Sequence, residues 1–290
     1  MYDFPEKYRV GFDGDFDLAA TPASPPENVD DDKALKKQLK ALNKRLSELQ
    51  RVFHAHDHHS ILLVFQAMDA AGKDGTIRAI MNGVNPAGCQ VYSFKQPSKE
   101  ELDHDFLWRT AKSLPERGRI GIFNRSYYEE VLVLKVHPEY LGGQNLPQEV
   151  NRDTIWRDRY ESIRDHEKHL ARNGTLILKF WLNVSKDEQK QRFLARLDEP
   201  EKNWKFSTGD IAERQHWDAY MDAYQTALNE TSRDYAPWYA IPADNKKYMR
   251  VVVAQTIVDV LESLDLQYPE VSDKDLERFQ EARRMLENEE

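Results

Sequence analysis

The sequence predicts an α/β protein with a doubly wound parallel sheet, and three observations carry that expectation. Short apolar runs alternate with helical patterns through the middle of the chain, the β-α-β-α order of such domains. Most of the runs lack in-out alternation, as strands do when helices cover both faces of a parallel sheet. The first run is followed by a glycine-lysine loop and then a helical pattern, the context of a phosphate-binding turn.

Residues 1–32 are Pro-rich and acidic without an apolar period, and read as an arm or wrapping segment. "KALKKQLKALNKRLSELQRVF" (33–53) repeats Leu at helical spacing, one amphipathic helix that either covers the core or pairs with another copy. Strands are expected at 60–67, 89–94, 119–124, 175–182 and 238–243. Helices are expected to begin near Lys73, Lys99, Tyr127, Arg152, Ser185, Asp210 and Lys246, and Ser185 to Glu188 has the form of a capping box. This gives an arm (1–32), one domain (33–270) and a charged tail (271–290).

The 290 residues, 40% hydrophobic and 11% aromatic, suffice for a large core. A single cysteine, Cys89, excludes an internal disulfide framework and fits a reducing cytosol. No apolar run is long enough to span a membrane and the first residues lack the order of a signal peptide, so a soluble, cytoplasmic protein is expected. The net charge of −9 argues against a general nucleic-acid or membrane binder, although "KNWKF" and "DNKKYMR" are locally basic.

The chemistry concentrates in "FQAMDAAGKDG" (65–75). Against the template G-x-x-x-x-G-K-[ST], Ala67 stands at the first glycine, Gly72 and Lys73 are in place, and Asp74 replaces the hydroxyl. A tight turn packed by small residues needs no cation, whereas phosphate does, so Lys73 favours phosphate. The backbone of Ala70, Ala71, Gly72, Lys73, Asp74, Gly75 and Thr76 is then its cradle. A carboxylate about 4 Å from phosphate is repelled by roughly 4 kcal/mol per charge pair at an effective dielectric near 20. Mg²⁺ between them removes that cost, so Asp69 reads as a metal ligand. Asp74 reads either as a helix cap or as part of the metal's surroundings. A later strand delivers Asn124, Arg125 and Ser126 to the same sheet edge. Arg125 suits charge on a transferring phosphoryl group; Glu129 reads either as a carboxylate for the metal or as a solvated position.

Five stretches together resemble the type 2 polyphosphate kinases: "AMDAAGKDGTI" (67–77), "SFKQPS" (93–98), "FNRSYYEEVLV" (123–133), "KFWLNVSKDEQ" (179–189) and "RFLARLDEPEKNWKFS" (192–207). Asn124 followed by "YYEEVLV" is similar to the class III subgroup. The resemblance implies a three-layer α/β/α P-loop kinase fold with a parallel sheet and a helical lid at about 192–235. It also implies reversible phosphoryl transfer from inorganic polyphosphate to AMP and ADP, with Mg²⁺ or Mn²⁺ as cofactor. The phosphate loop would hold the polyphosphate chain. ATP as product, guanine nucleotides as further substrates and a homo-oligomer, dimer or tetramer, belong to the same implication.

A polyphosphate site should be a row of cations, because the ligand has charge on every unit and no base to recognise. Lys73, Arg78, Arg125 and Lys135 lie near the expected sheet edge, and Lys95 ends another strand beside it. Arg192 and Arg196, at i,i+4 on one helix face, with Lys202 and Lys205 beyond, form a basic lid or, on the plain alternative, a solvated face. "HAHDHH" (54–59) reads as a polar turn rather than a metal site, and "HWDAYMDAYQ" (216–225) as core or an oligomer contact. Ser126 belongs to no recognisable hydrolytic triad. An ATP-dependent kinase of the same architecture and a non-catalytic polyanion-binding protein are the competing expectations.

Overall fold

The computed structural model describes residues 3–289, with the side chains of Lys202 and Lys205 outside the described set. Five parallel strands, β1 (Ser60–Gln66), β2 (Cys89–Ser93), β3 (Ile120–Asn124), β4 (Thr175–Asn183) and β5 (Trp238–Pro242), stand in the order β2-β3-β1-β4-β5. Each lies within one residue of its expected bounds. β1 and β4 are buried at every position, which explains their long apolar runs, broken in β4 only by Lys179. Strand order reverses at β1, with β2 and β3 on one side and β4 and β5 on the other. A crevice therefore opens at the carboxyl end of β1, where the loop 67–72 begins.

Helices cover both faces. On one lie α1 (Asp32–His56), α2 (Lys73–Ile80) and α10 (Lys246–Ser263). The leucine-rich α1 runs beside α10 in the same direction, with Lys247 paired to Asp32 and Arg45 Nε 2.6 Å from Glu262. Its apolar face, Leu35, Leu46, Leu49 and Phe53, is buried in the core, so the core-covering alternative holds within one chain. On the other face lie α5 (Val133–Val136), α6 (Ile155–Arg172) and α9 (Trp217–Thr231). Two one-turn helices, α3 (Lys99–Leu102) and α4 (Trp108–Ala111), link β2 to β3. After β4 come α7 (Lys186–Asp198) and α8 (Thr208–Gln215), and α11 (Asp273–Glu287) ends the chain with no buried residue. No helix among the described residues is long and apolar enough to cross a membrane.

Four local expectations change. The segment from Tyr127 is a 3-10 turn (Tyr127–Glu130), and α6 begins at Ile155 rather than near Arg152. At Ser185 only half of the capping box forms: Ser185 Oγ accepts from Glu188 N at 3.1 Å, but Ser185 N donates to Asp244 Oδ1 at 2.8 Å and Glu188 turns to Arg192. The reciprocal box is at Ser98 and Glu101 instead. Finally, α9 is core and not lid, because Trp217, Tyr220, Tyr224 and Leu228 are buried on one stripe. The exposed part of the expected lid is α8 and the 3-10 turn Pro200–Lys205 before it.

The arm wraps the β5 edge. Val10 N donates to Trp238 O at 2.9 Å and Ala240 N to Tyr8 O at 2.9 Å, while Phe4 and Val10 are buried. Farther on, Asn183 Nδ2 donates to Thr21 O at 3.1 Å, Asp244 N to Ala23 O at 3.0 Å and Ser24 Oγ to Asp244 Oδ2 at 3.0 Å. Asp244 thus joins the arm to the start of α7.

Candidate active site

The loop between β1 and α2 turns sharply through two left-handed residues, Ala70 (φ 60°) and Gly72 (φ 110°). A side chain at Gly72 would hold that conformation under strain and would sit 3.5 Å from Met249 Cε, so glycine is required there. The first bond within α2 runs from Thr76 N to Gly72 O at 2.9 Å, and no side chain caps the helix start. The amides of Lys73, Asp74 and Gly75 precede it, an anion cradle at the positive end of a helix. Lys73 is buried, with Nζ 2.6 Å from Ala67 O, inside the turn of its own loop. Burial, then Arg125, lowers its pKa, while Asp69, Glu129 and Asp74 act in the opposite direction. An anion at the loop would favour its charged form.

Asp74 is not a cap. Its Oδ1 accepts from Asn124 Nδ2 at 2.7 Å, across to the end of β3. The neutral amide at the end of β3 therefore has a partner that a carboxylate there would repel. Arg125 follows in a left-handed conformation (φ 62°), with its N–H on Phe65 O at 3.0 Å. A non-glycine residue held there marks a constrained functional position. Its guanidinium donates to Asp69 Oδ1 at 2.9 Å. Its pKa is raised, first by Glu129 and also by Asp69. Glu129 in turn has its carboxyl raised by burial, opposed by Arg125 and Lys73. Asp69 thus pairs with the guanidinium at the pocket wall, and Glu129 acts on it as a nearby opposite charge. Two hard oxygen donors fit Mg²⁺, which takes one or two carboxylates and completes its shell with water and phosphate. No group of three or more His, Cys, Asp or Glu among the described residues could hold a metal, the 54–59 histidines included.

Beneath the Tyr127–Glu130 turn is a buried charged network that sequence reading missed. Lys179 Nζ, in the middle of β4, lies 2.7 Å from Glu167 Oε2, and both side chains are wholly buried. Tyr127 and Tyr128 donate to Glu167 Oε1 at 2.9 and 2.8 Å, and Lys179 Nζ also donates to Thr231 O at 2.8 Å. Ser126 Oγ is buried and accepts from Tyr128 N at 3.1 Å, a structural cap for the same turn. These bonds fix the backbone that carries Arg125 and Glu129.

The loop, the end of β3 and the starts of α7 and α10 enclose a pocket of about 820 Å³. Eight of its lining residues are cationic (Lys73, Arg78, Lys95, Arg125, Arg192, Arg196, Lys246 and Arg250) and three are acidic (Asp69, Asp74 and Glu188). Lys246 and Arg250, at i,i+4 on α10, were not expected in the site. Their spacing after β5 was the available signal. Burial lowers the pKa of Arg250, as do the nearby charges of Arg78 and Arg192, and Arg250 Nε is buried without a hydrogen-bond partner among the described residues.

Arg192 requires a correction. It is neither a solvated residue nor a free lid cation: it is buried, with Nη1 on Ala71 O (2.5 Å) and Ala70 O (3.2 Å) and Nη2 on Ala243 O (2.7 Å) and Asp244 O (3.0 Å). Its Nε lies 2.7 Å from Glu188 Oε1. The guanidinium clamps the phosphate loop to α7 and to the end of β5, helped by Gln189 Nε2 on Asp69 O at 2.9 Å. Arg196 lines the pocket and pairs with Asp210 of α8 at 3.2 Å. Lys135 does not line it; its Nζ donates to Thr226 Oγ1 at 2.9 Å on α9. Lys202 and Lys205 lie outside the described side chains.

Comparison with known proteins gives matches over nearly the whole chain. Residues 29–269 match the family model described as Polyphosphate kinase 2 (PPK2). An ADP-polyphosphate phosphotransferase of Rhodopseudomonas palustris is 53% identical over 92% of this chain and 93% of its own length. An AMP/ADP-polyphosphate phosphotransferase of Meiothermus ruber is 47% identical over 91% of this chain and 96% of its own. The crystal structure of polyphosphate kinase 2 from Arthrobacter aurescens superposes with a TM-score of 0.86 at 40% identity, covering 97% of this chain and 98% of that one.

Proposed function

The chain belongs to the polyphosphate kinase 2 family, and from that premise we propose that it transfers a phosphoryl group reversibly between inorganic polyphosphate and AMP or ADP. The observation that carries this reading is the pocket lining. Eight cations against three acids, in a chain of net charge −9, suit a ligand with charge on every unit. The orphan amides of Lys73, Asp74 and Gly75 and the Lys73 ammonium bind the phosphates nearest the reacting bond. Arg78, Lys246 and Arg250 hold the donor chain, and Lys95, at the edge near β2, meets the acceptor phosphate. Arg125, held by Asp69 and kept charged by the nearby Glu129, faces the charge that develops on the transferring group. Transfer is direct and in line, driven by positioning and electrostatics, and no covalent protein intermediate is needed. Asp69 and Glu129 would hold Mg²⁺, with Mn²⁺ as a substitute, which supplies charge neutralisation between carboxylate and phosphate.

The deciding experiment incubates the purified protein with Mg²⁺, long-chain polyphosphate and AMP or ADP and separates the nucleotides. Formation of ADP or ATP is expected; its absence defeats the reading. Turnover with ATP and a mononucleotide, indifferent to polyphosphate, would favour the ATP-dependent alternative. For the metal, Asp69→Asn should weaken Mn²⁺ binding measured by electron paramagnetic resonance and abolish turnover with the fold intact. The same reading places the enzyme in the cytosol as a dimer or tetramer and admits guanine nucleotides, to be checked by light scattering and by assays with GMP and GDP.

A further inference from the structure

A second cavity, a groove of about 780 Å³, lies between α1 and the carboxyl end of α2. Its α1 wall carries Lys36, Lys40 and Lys44 at successive i,i+4 positions, a row along one helix face, with Arg51 at the far end. The one acid lining it is Glu48, 3.9 Å from Lys44. Lys36, Lys40 and Arg51 have no carboxylate within ion-pair distance among the described residues. Like charges at i,i+4 repel, so an uncompensated row is a local cost to the fold. The opposite wall is neutral and open, with nothing within 4 Å of where a Cβ on Gly83 would lie.

The groove borders the same helix as the catalytic pocket, with Arg78 lining the pocket and the next residue, Ala79, lining the groove. Asn82, four residues on from Arg78, lines the groove as well. Asn43 Nδ2 donates to Ala79 O at 2.8 Å and fixes α1 against this end of α2. The pair between Lys247 and Asp32 sets the first turn of α1, one turn before Lys36, beside the part of α10 that sends Lys246 and Arg250 into the pocket. The pocket cations Arg78 and Arg250 thus stand on α2 and α10, and both helices adjoin α1, which carries Lys36, Lys40 and Lys44.

We propose that this groove is a second polyphosphate site, holding the part of a long donor chain that extends beyond the catalytic pocket. The proposal rests on the reading of that pocket as a polyphosphate site. A flexible polyanion without bases suits ammonium groups on long exposed stems, which act as point charges and demand no fixed geometry. A single short row on an acidic chain is a poor match for duplex DNA, whose binding needs phosphates met across a rigid surface.

The test compares long-chain polyphosphate with a donor of a few phosphate units, in wild type and in Lys36→Gln/Lys40→Gln/Lys44→Gln. The expected result is a rise of about tenfold in KM for the long donor, the sum of three exposed charge contacts. KM for the short donor and kcat should stay within about twofold, and the salt dependence with the long donor should flatten. Equal effects on both donors, or none, overturn the proposal. Lys40→Glu is the second variant; with an unchanged melting temperature it should raise KM for the long donor only. Competition by duplex DNA that the substitutions abolish, without a chain-length effect, would assign the groove to nucleic acid and overturn the proposal. Wild-type protein inactive with either donor defeats the reading of the catalytic pocket, whereas activity with no chain-length effect in the variants defeats this proposal alone.

Discussion

Replacing Arg192 by Lys separates two roles that an arginine in a phosphate pocket can play. In the structure the guanidinium makes four contacts of 2.5 to 3.2 Å with the carbonyls of Ala70, Ala71, Ala243 and Asp244, and a fifth with Glu188. A lysine keeps the charge but has one nitrogen, so it can serve the loop or the end of β5 and not both. Two or three charge-assisted bonds are then lost from a buried site and carbonyls are left unpaired, a cost of about 3–5 kcal/mol. The melting temperature should fall by about 10 °C. Thermal and urea denaturation measure this, and kinetics on the same variant should show kcat reduced through a loosened loop. An unchanged melting temperature together with a KM for polyphosphate raised more than about tenfold would refute the clamp and make Arg192 a substrate ligand.

Three further outcomes are expected. Lys179→Met should cost about 3–5 kcal/mol by leaving the buried Glu167 without its cation, and adding Glu167→Gln should restore part of it; a single-variant loss below about 1 kcal/mol would contradict the network. Arg250→Gln should raise KM for polyphosphate while the melting temperature stays level or rises, since it removes a cation crowded by Arg78 and Arg192; a fall of several degrees would show a structural role. Burial raises the pKa of Tyr127, Tyr128 and Tyr224, so the stability they contribute is complete below their ordinary value of about 10 and is lost above it. Lys179, lowered to about 8 by burial, works the other way: its penalty eases as pH rises from about 8. Melting temperatures should therefore hold or rise slightly from pH 8 to 9.5 and drop beyond about 10; a flat profile to pH 11 would contradict this reading.

The sheet was legible because a strand buried on both faces is apolar at nearly every position, as β1 and β4 are apart from their ends and Lys179. The loop was legible through Gly72, Lys73 and their place between a strand and a helix. Arg192 was not, because helical spacing shows which residues share a face but not that this face meets the backbone carbonyls of a distant loop. The same limit hid the partner of Lys179: a lysine inside "TLILKFWL" signals a buried charge, yet nothing local points to Glu167 on another helix. Asp74 was undecided from sequence because cap and metal ligand have the same residue preference; a cross-sheet amide, Asn124, engages it. The helical spacing of "HWDAYMDAYQ" (216–225) allows core or an oligomer contact, and burial of Trp217, Tyr220 and Tyr224 makes it core, inside the segment 192–235 expected as lid.

The arm has a consequence for the order in which the molecule assembles. Its contacts with Asn183 and Asp244 join residues 162 and 220 positions apart, and Asp244 passes the connection to Ser185 and, through its carbonyl, to Arg192 and the phosphate loop. Closures over such distances carry a large entropic cost and form late. During refolding, the far-ultraviolet circular dichroism of the sheet and its helices should reach its native value while the arm, whose Phe16 packs on Trp181 and whose Val10 bonds Trp238, is still loose, so that native fluorescence of these tryptophans comes later. Catalytic competence would then appear as a separate, slower phase, set by the chain's first thirty residues finding the sheet edge farthest from β2.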